Sequence, residues 1–251
     1  MSKRIPAVVL IGHGSLHSDS GSAMIRIAAR LREQGVTSIV EPAFLNYNRP
    51  TLAEAVIKCK ALGATKIIVQ PYFLIEGVYV RNDLPALVKS VAAEHRDLIF
   101  EIAEAFGDHP AMAKLALKRV QAVDPAPNPT AGLLFVAHGS PLEAANRPID
   151  RVLRWVQTKT GYGAAAIGYL DCNQPDIPTA IAQLAASGVG HITALPYFLQ
   201  LGRHIREDLP ALFQAAQQRH PQTEIRTAEP LGYDLLLAEV AAERIMIYLT
   251  C

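Results

Sequence analysis

Val8-Val-Leu-Ile-Gly-His-Gly-Ser15 returns later in the chain as Leu133-Leu-Phe-Val-Ala-His-Gly-Ser140, an apolar run closing on His-Gly-Ser each time. The two histidines stand 125 positions apart (138 − 13 = 125). The same offset carries Pro71-Tyr-Phe-Leu74 onto Pro196-Tyr-Phe-Leu199 and Asp83-Leu-Pro-Ala-Leu87 onto Asp208-Leu-Pro-Ala-Leu212. It also pairs Asn48, Pro50 and Gly107 with Asn173, Pro175 and Gly232. One gapless register through separated blocks is a tandem duplication. The halves are expected at 1–124 and 131–251. They are joined by Val123-Asp-Pro-Ala-Pro-Asn-Pro-Thr130, whose three prolines read as a linker.

Within each half, short runs rich in Val, Ile and Leu alternate with helical patterns. Ala7–Ile11, Lys66–Gln70, Leu133–Ala137 and His191–Leu195 are of strand length and lack polar alternation, as strands buried on both faces of a parallel sheet do. Helices are expected at Ser22–Gln34, Thr51–Leu62, Asp83–Glu94 and Ala111–Val120, with counterparts in the second half. Gly63 and Gly188 stand at the expected helix C-termini. The expectation is α/β: two duplicated, doubly wound parallel-sheet domains facing a shared cleft. Asp208 reads as an acidic helix cap with Pro210 in the first turn.

Composition narrows the function. The 251 residues are 50% hydrophobic and 19% charged, ordinary globular values. Twenty-four basic against 23 acidic residues give a net charge of +1, which argues against a general nucleic-acid binder. Cys59, Cys172 and Cys251 make no paired framework, so a reducing cytoplasm is expected. No apolar run approaches the ~20 residues of a membrane span. Lys3, Arg4 and the apolar residues to Ile11 resemble a weak signal peptide, but the run is short and its counterpart recurs mid-chain, so a buried strand is expected.

Doubly wound sheets bind ligands beyond the carboxyl ends of their strands. In the second half His138 follows the first strand, Asp171 ends the second (Ala165–Asp171), and His204 lies shortly after the third. Right-handed crossovers put the first strand between the second and third, with neighbours about 4.8 Å apart. Two imidazoles and a carboxylate then form an open site for a borderline divalent ion such as Co²⁺, Fe²⁺, Ni²⁺ or Zn²⁺. Singly, His138 is a turn residue, Asp171 a cap or turn former, and His204 a surface histidine. The first half holds His13, Asn46 and Tyr79 at the same places. An amide and a phenol are poor ligands, so the second half is expected to work and the first to support it. Arg206, repeated as Arg81, and the unrepeated Arg203 read equally as solvated charge or as a clamp on substrate carboxylates. Ser15 and Ser140 read as turn hydrogen-bonders. No Gly-Lys-Ser/Thr signature is present, so no nucleotide is expected.

His-Gly-Ser after the first strand, a carboxylate after the second, and Gly202-Arg-His204 followed by Asp208-Leu-Pro210 together resemble the sirohydrochlorin chelatase family, in its long two-domain form. The resemblance implies ATP-independent insertion of a divalent metal (Co²⁺ foremost, Fe²⁺ or Ni²⁺ otherwise) into sirohydrochlorin or a related tetrapyrrole. It implies His138 and His204 as metal-site histidines, with Asp171 where the family usually carries Glu. Arg203, Arg206 and Ser140 are then expected on the substrate side. A monomer suffices and a dimer is compatible. Two other readings stand beside it: a non-catalytic tetrapyrrole or metal carrier, and phosphoryl transfer through His138, for which the following segment offers only Arg147.

Overall fold

The strand-length apolar runs form two separate four-stranded parallel sheets in a computed structural model. It describes residues 4–14, 21–200 and 202–249, and for residues 203–205 the backbone only. The first sheet holds β1 (Pro6–Gly12), β2 (Ile39–Phe44), β3 (Lys66–Pro71) and β4 (Ile99–Ile102) in the order β2-β1-β3-β4. The second holds β5 (Ala131–Ala137), β6 (Ala164–Tyr169), β7 (His191–Pro196) and β8 (Glu224–Thr227) in the order β6-β5-β7-β8. In both, the first strand lies between the second and third, as the crossover argument requires. Even the register repeats: Ala7 faces Ile39 and Ile67, and its counterpart Gly132 faces Ala164 and Ile192. Of the run ending at Ile11, residues Ala7 to Ile11 lie in β1 and are fully buried; Met1–Lys3 lie outside the described residues.

Among the described residues eight α-helices flank the sheets: α1 (Ser22–Glu33), α2 (Leu52–Ala61), α3 (Leu84–Glu94), α4 (Pro110–Val123), α5 (Arg147–Thr160), α6 (Ile177–Ala186), α7 (Arg203–Arg219) and α8 (Leu235–Leu249). Alternate residues of each central strand face opposite layers. Ala7, Val9 and Ile11 pack with Leu52, Val56, Leu84 and Val88 of α2 and α3. Leu134 and Val136 pack with Ile181, Leu184, Leu209 and Phe213 of α6 and α7. Each such aliphatic side chain contributes about 1.5–3 kcal/mol on burial. Thr51 starts α2 with a reciprocal capping box, its Oγ1 accepting the Glu54 N–H and its own N–H donating to Glu54 Oε2. Its counterpart Asp176 accepts the Thr179 N–H at 2.8 Å to start α6. Gly63 and Gly188 follow these helices at φ +91° and +82°, the left-handed geometry expected there.

The compact units cut across the repeats. One comprises Met1–Gly107 with Tyr233–Cys251, and the other Asp108–Gly232. Helix α4, written in the first repeat, packs on α5 and β7, while α8, written in the second, packs on α1 and β3. The proline linker therefore lies inside the second unit. The division at 1–124 and 131–251 describes the repeats but not the folded units, because amphipathic spacing shows that a helix has a buried face without showing which sheet it covers. The chain changes unit at Gly107 and Gly232, at φ +60° and +54°.

Equivalent residues tie each of these helices down. Lys66, first in β3, donates from Nζ to the Tyr248 carbonyl at the end of α8. His191, first in β7, bonds through Nε2 to Asp124 Oδ2 just after α4, at 2.8 Å. That oxygen also accepts from the Tyr162 hydroxyl at 2.9 Å and the Thr193 hydroxyl at 3.0 Å. Burial pushes the Asp124 carboxyl up, but the bonds from His191, Tyr162 and Thr193 outweigh it and hold it below the ordinary aspartate value.

One expected helix start is corrected. Asp208 does not cap a helix: α7 begins at Arg203 and runs through with Pro210 in its interior. In the first unit a π-helical turn, Tyr79–Asp83, precedes α3, and Leu84 N–H donates to the Tyr79 carbonyl five residues back. The wider turn leads into Pro85, which has no N–H of its own and would crowd the carbonyl four residues earlier.

Candidate functional site

The site is built from loops leaving the carboxyl ends of β5 and β6. After β5 the chain turns through His138-Gly139-Ser140, and after β6 through Leu170-Asp171-Cys172-Asn173. Leu170 N–H donates to the Ala137 carbonyl at 2.9 Å and Asp171 N–H to the His138 carbonyl at 3.1 Å. In return Asn173 Oδ1 accepts the Ser140 N–H at 2.7 Å. Gly139 has φ +91°, and a Cβ there would lie 2.4 Å from the Asp171 carbonyl oxygen and 2.6 Å from Asn173 Oδ1. Only glycine lets the loops close.

This zipper sets His138 and Asp171 side by side along the backbone with both residues exposed. Asp171 lies two residues past the end of β6 rather than in the strand. Its Oδ1 accepts the Cys172 N–H at 2.7 Å, and Cys172 sits at φ +61°. A cavity of about 410 Å³ opens over this loop, lined by Tyr169, Asp171, Cys172, Asn173 and Asp176 among others. Ser140 is buried and its Oγ accepts the Leu142 N–H at 3.2 Å, the turn role expected of it. Arg206 is exposed in the first turns of α7. Arg203 and His204 open that helix, but their side chains lie outside the described residues. Among the described residues no three His, Cys, Asp or Glu side chains converge to hold a metal ion.

The first unit uses the same zipper: Leu45 N–H donates to the Gly12 carbonyl and Asn46 N–H to the His13 carbonyl, at 2.9 and 3.0 Å. A Cβ on Gly14 would fall 1.9 Å from the Asn46 carbonyl oxygen. The loop framework is thus retained while the side chains on it differ. Beneath the second-unit loops stand further polar groups the sequence reading passed over. Asn146 is buried and donates from Nδ2 to the Ser140 carbonyl at 3.2 Å. Burial first, then the nearby Asp150 charge, raises the Tyr169 phenol. The first repeat has Gly21, Ile25 and Phe44 at the positions of Asn146, Asp150 and Tyr169. Comparing the repeats position by position carries that signal, as does Asn173, which recurs as Asn48.

The CbiX family model matches residues 7–123 and again 132–247, nearly the whole chain. This chain belongs to the CbiX family. Among curated relatives, the sirohydrochlorin cobaltochelatase of Methanothermobacter thermautotrophicus is 32% identical over 132 residues, which cover 47% of this chain and 92% of that protein. The sirohydrochlorin cobaltochelatase of Priestia megaterium is 33% identical over 115 residues, 46% of this chain and 37% of its own length. Among three of the relatives matched, from Priestia megaterium, Methanocaldococcus jannaschii and Methanococcus aeolicus, the alignment spans 37 to 62% of the relative. The fold of this CbiX-family chain matches that of SirB from Bacillus subtilis with Fe³⁺, with a TM-score of 0.86 at 18% identity over 96% of this chain and 94% of that one. SirB in complex with cobalt gives 0.80 at 15% identity, with the same coverage.

Proposed function

We propose that this chain is a sirohydrochlorin chelatase that inserts a divalent cation, cobalt foremost and iron or nickel as alternatives, into the tetrapyrrole without a nucleotide. The observation that carries the reading is the zipper between the β5 and β6 loops, which presents an exposed imidazole, His138, next to an exposed carboxylate, Asp171. His204, on the segment after β7, completes the proposed set. Family membership and relatives named sirohydrochlorin cobaltochelatase support the same chemistry.

The reaction exchanges two pyrrole N–H protons for one M²⁺, so the site must hold a partly dehydrated ion and accept two protons. Ligands exposed at a sheet edge leave coordination positions open for ring nitrogens, whereas a closed four-ligand site would retain the ion. Neutral imidazole binds such ions and also accepts protons near pH 7. Asp171 compensates the charge of the arriving cation and passes protons to solvent. Arg206 and Arg203 are proposed to bind the acetate and propionate groups of the macrocycle, where a guanidinium pairs in bidentate fashion. Ser140 serves by shaping the loop, its Oγ accepting the Leu142 N–H, and its hydroxyl proton can be donated to a substrate group without breaking that bond.

The test mixes purified protein, metal-free sirohydrochlorin and Co²⁺ and follows the visible spectrum. A rate above the spontaneous one is expected, reduced about 10²–10⁴-fold by His138→Ala or His204→Ala and, by comparison, only mildly by His13→Ala. Stoichiometric binding without acceleration would make the chain a carrier. An essential His13 with a dispensable His138 would move the site to the first repeat.

A further inference from the structure

Where the second repeat carries the two proposed histidine ligands, the first carries rings, Tyr47 and Tyr79 exposed and His13 half-buried. His13, Tyr47 and Tyr79 stand on the segments after β1, β2 and β3, at the positions of His138, Cys172 and His204. They form a row with His13 in the middle. Its ring centroid is 4.5 Å from that of Tyr79, edge to face at 76°, and 6.1 Å from that of Tyr47, tilted by 45°. His13 is fixed by a 2.9 Å bond between Nδ1 and the Gly14 carbonyl.

Core packing does not account for the row, since Tyr47 is 67% exposed and Tyr79 45%. A single exposed ring is unremarkable. Three rings in contact, on three loops at the edge where such sheets bind ligands, are a surface built for something. Tyr47 lies at φ +62° and Cys172, its counterpart, at φ +61°. The bend is therefore a property of the duplicated loop, and what distinguishes the first repeat is the ring placed on it. The carboxylate of the second loop is also replaced, Asn46 standing where Asp171 does. An aromatic row without that carboxylate suits a flat conjugated ligand rather than a bare cation.

The flanks are cationic. Arg49, two residues after Tyr47, pairs with Glu54 at 2.9 Å and its side chain is 84% exposed. Arg81, two residues after Tyr79, pairs with Glu76 at 3.1 Å. Exposed pairs of this kind are worth little and exchange partners readily, so both guanidiniums are available to ligand carboxylates. We propose that His13, Tyr47 and Tyr79 form an aromatic contact surface, through ring faces and ring edges, for the face of a planar conjugated polycarboxylate, the tetrapyrrole macrocycle, using none of the residues proposed to hold the metal. The choice of ligand rests on the chelatase reading; the aromatic surface does not.

The test titrates metal-free sirohydrochlorin into the full chain and into Tyr47→Ala, Tyr79→Ala and the double variant, reading Kd from the macrocycle's visible absorption. One aromatic contact is worth about a 2- to 12-fold change in affinity, so each single variant weakens binding by that factor and the double variant by more. Tyr47→Phe and Tyr79→Phe, which keep the ring face, stay near wild type. Co²⁺ binding measured without macrocycle is unchanged throughout, which separates a lost contact surface from a damaged fold. An unchanged Kd in the double alanine variant overturns the proposal, as does a loss reproduced by the phenylalanine variants. A wild-type chain that binds the macrocycle through these rings and inserts no metal sinks the chelatase reading alone. One that inserts metal with the double variant unaffected sinks this proposal alone.

Discussion

Asp124→Ala removes one oxygen that receives three donors, and its cost can be worked bond by bond. The Tyr162 hydroxyl and the Thr193 hydroxyl belong to residues 3% and 0% exposed, so neither finds water once the acceptor has gone. A buried donor left unpaired costs about 1–3 kcal/mol. The His191 side chain is 16% exposed and recovers part of its loss by hydrating. The sum expected for the alanine variant is about 3–5 kcal/mol, the range for breaking a buried ionic contact from one side. Asp124→Asn keeps an acceptor but no charge and should cost about half as much. Trp155, the chain's single tryptophan, lies in α5 of the same unit and reports its unfolding by fluorescence in urea. The midpoint should fall with little change in slope. The sign with pH is fixed because the folded carboxyl titrates below the unfolded one. The stabilisation is complete above the unfolded value near pH 4 and fades as pH falls through the folded one. A Trp155 transition shifted by less than about 1 kcal/mol in the alanine variant would refute the account of how α4 is held.

Lys66→Met, which removes the donor to the Tyr248 carbonyl, should speed hydrogen exchange in α8 while the Trp155 transition stays in place. Gly139→Ala should cost at least about 1–3 kcal/mol from its left-handed backbone and lower cobalt insertion, because the new Cβ drives the two loops apart. Asn173→Ala should lower insertion more than stability, read by comparing turnover with the urea midpoint, since it frees the Ser140 N–H at the loop. Peptide mapping after brief alkylation at pH 8 should find Cys172 modified and Cys59 protected. Burial, with the Glu41 charge adding to it, pushes the buried Cys59 thiol up to about 12, whereas Cys172 is exposed.

The central strands were legible because a duplicated pattern tests itself: a run such as Leu133–Ala137 that recurs as Val8–Gly12 is not an accident of composition, and right-handed crossovers put the first strand between the second and third. Local chemistry was legible too, with Thr51, Gly63 and Gly188 marking helix ends where they are found. Reading failed where the deciding interaction is distant in sequence. Nothing near Leu235–Leu249 shows that its apolar face covers β3. Nothing in Asp208-Leu-Pro210 shows that the preceding residues already form helix, whereas the first repeat spends a wider turn there. At the site, His138 was visible as a residue after a strand and Asp171 as the end of one, two residues further than β6 in fact runs. The bonds that hold them together run through backbone and through Asn173, which periodicity does not reveal.

The exchange of α4 and α8 between repeats sets an order of events during synthesis. The unit Asp108–Gly232 is one uninterrupted stretch, so it can fold as soon as it has left the ribosome. The sheet begun by β1 is synthesised before that unit yet completed after it, because α8, which packs with α1 on that sheet, follows the whole of Asp108–Gly232 in the chain. Until then that apolar surface is open to whatever it meets, and a message truncated after the first repeat would yield a chain with an unclosed sheet rather than a working half.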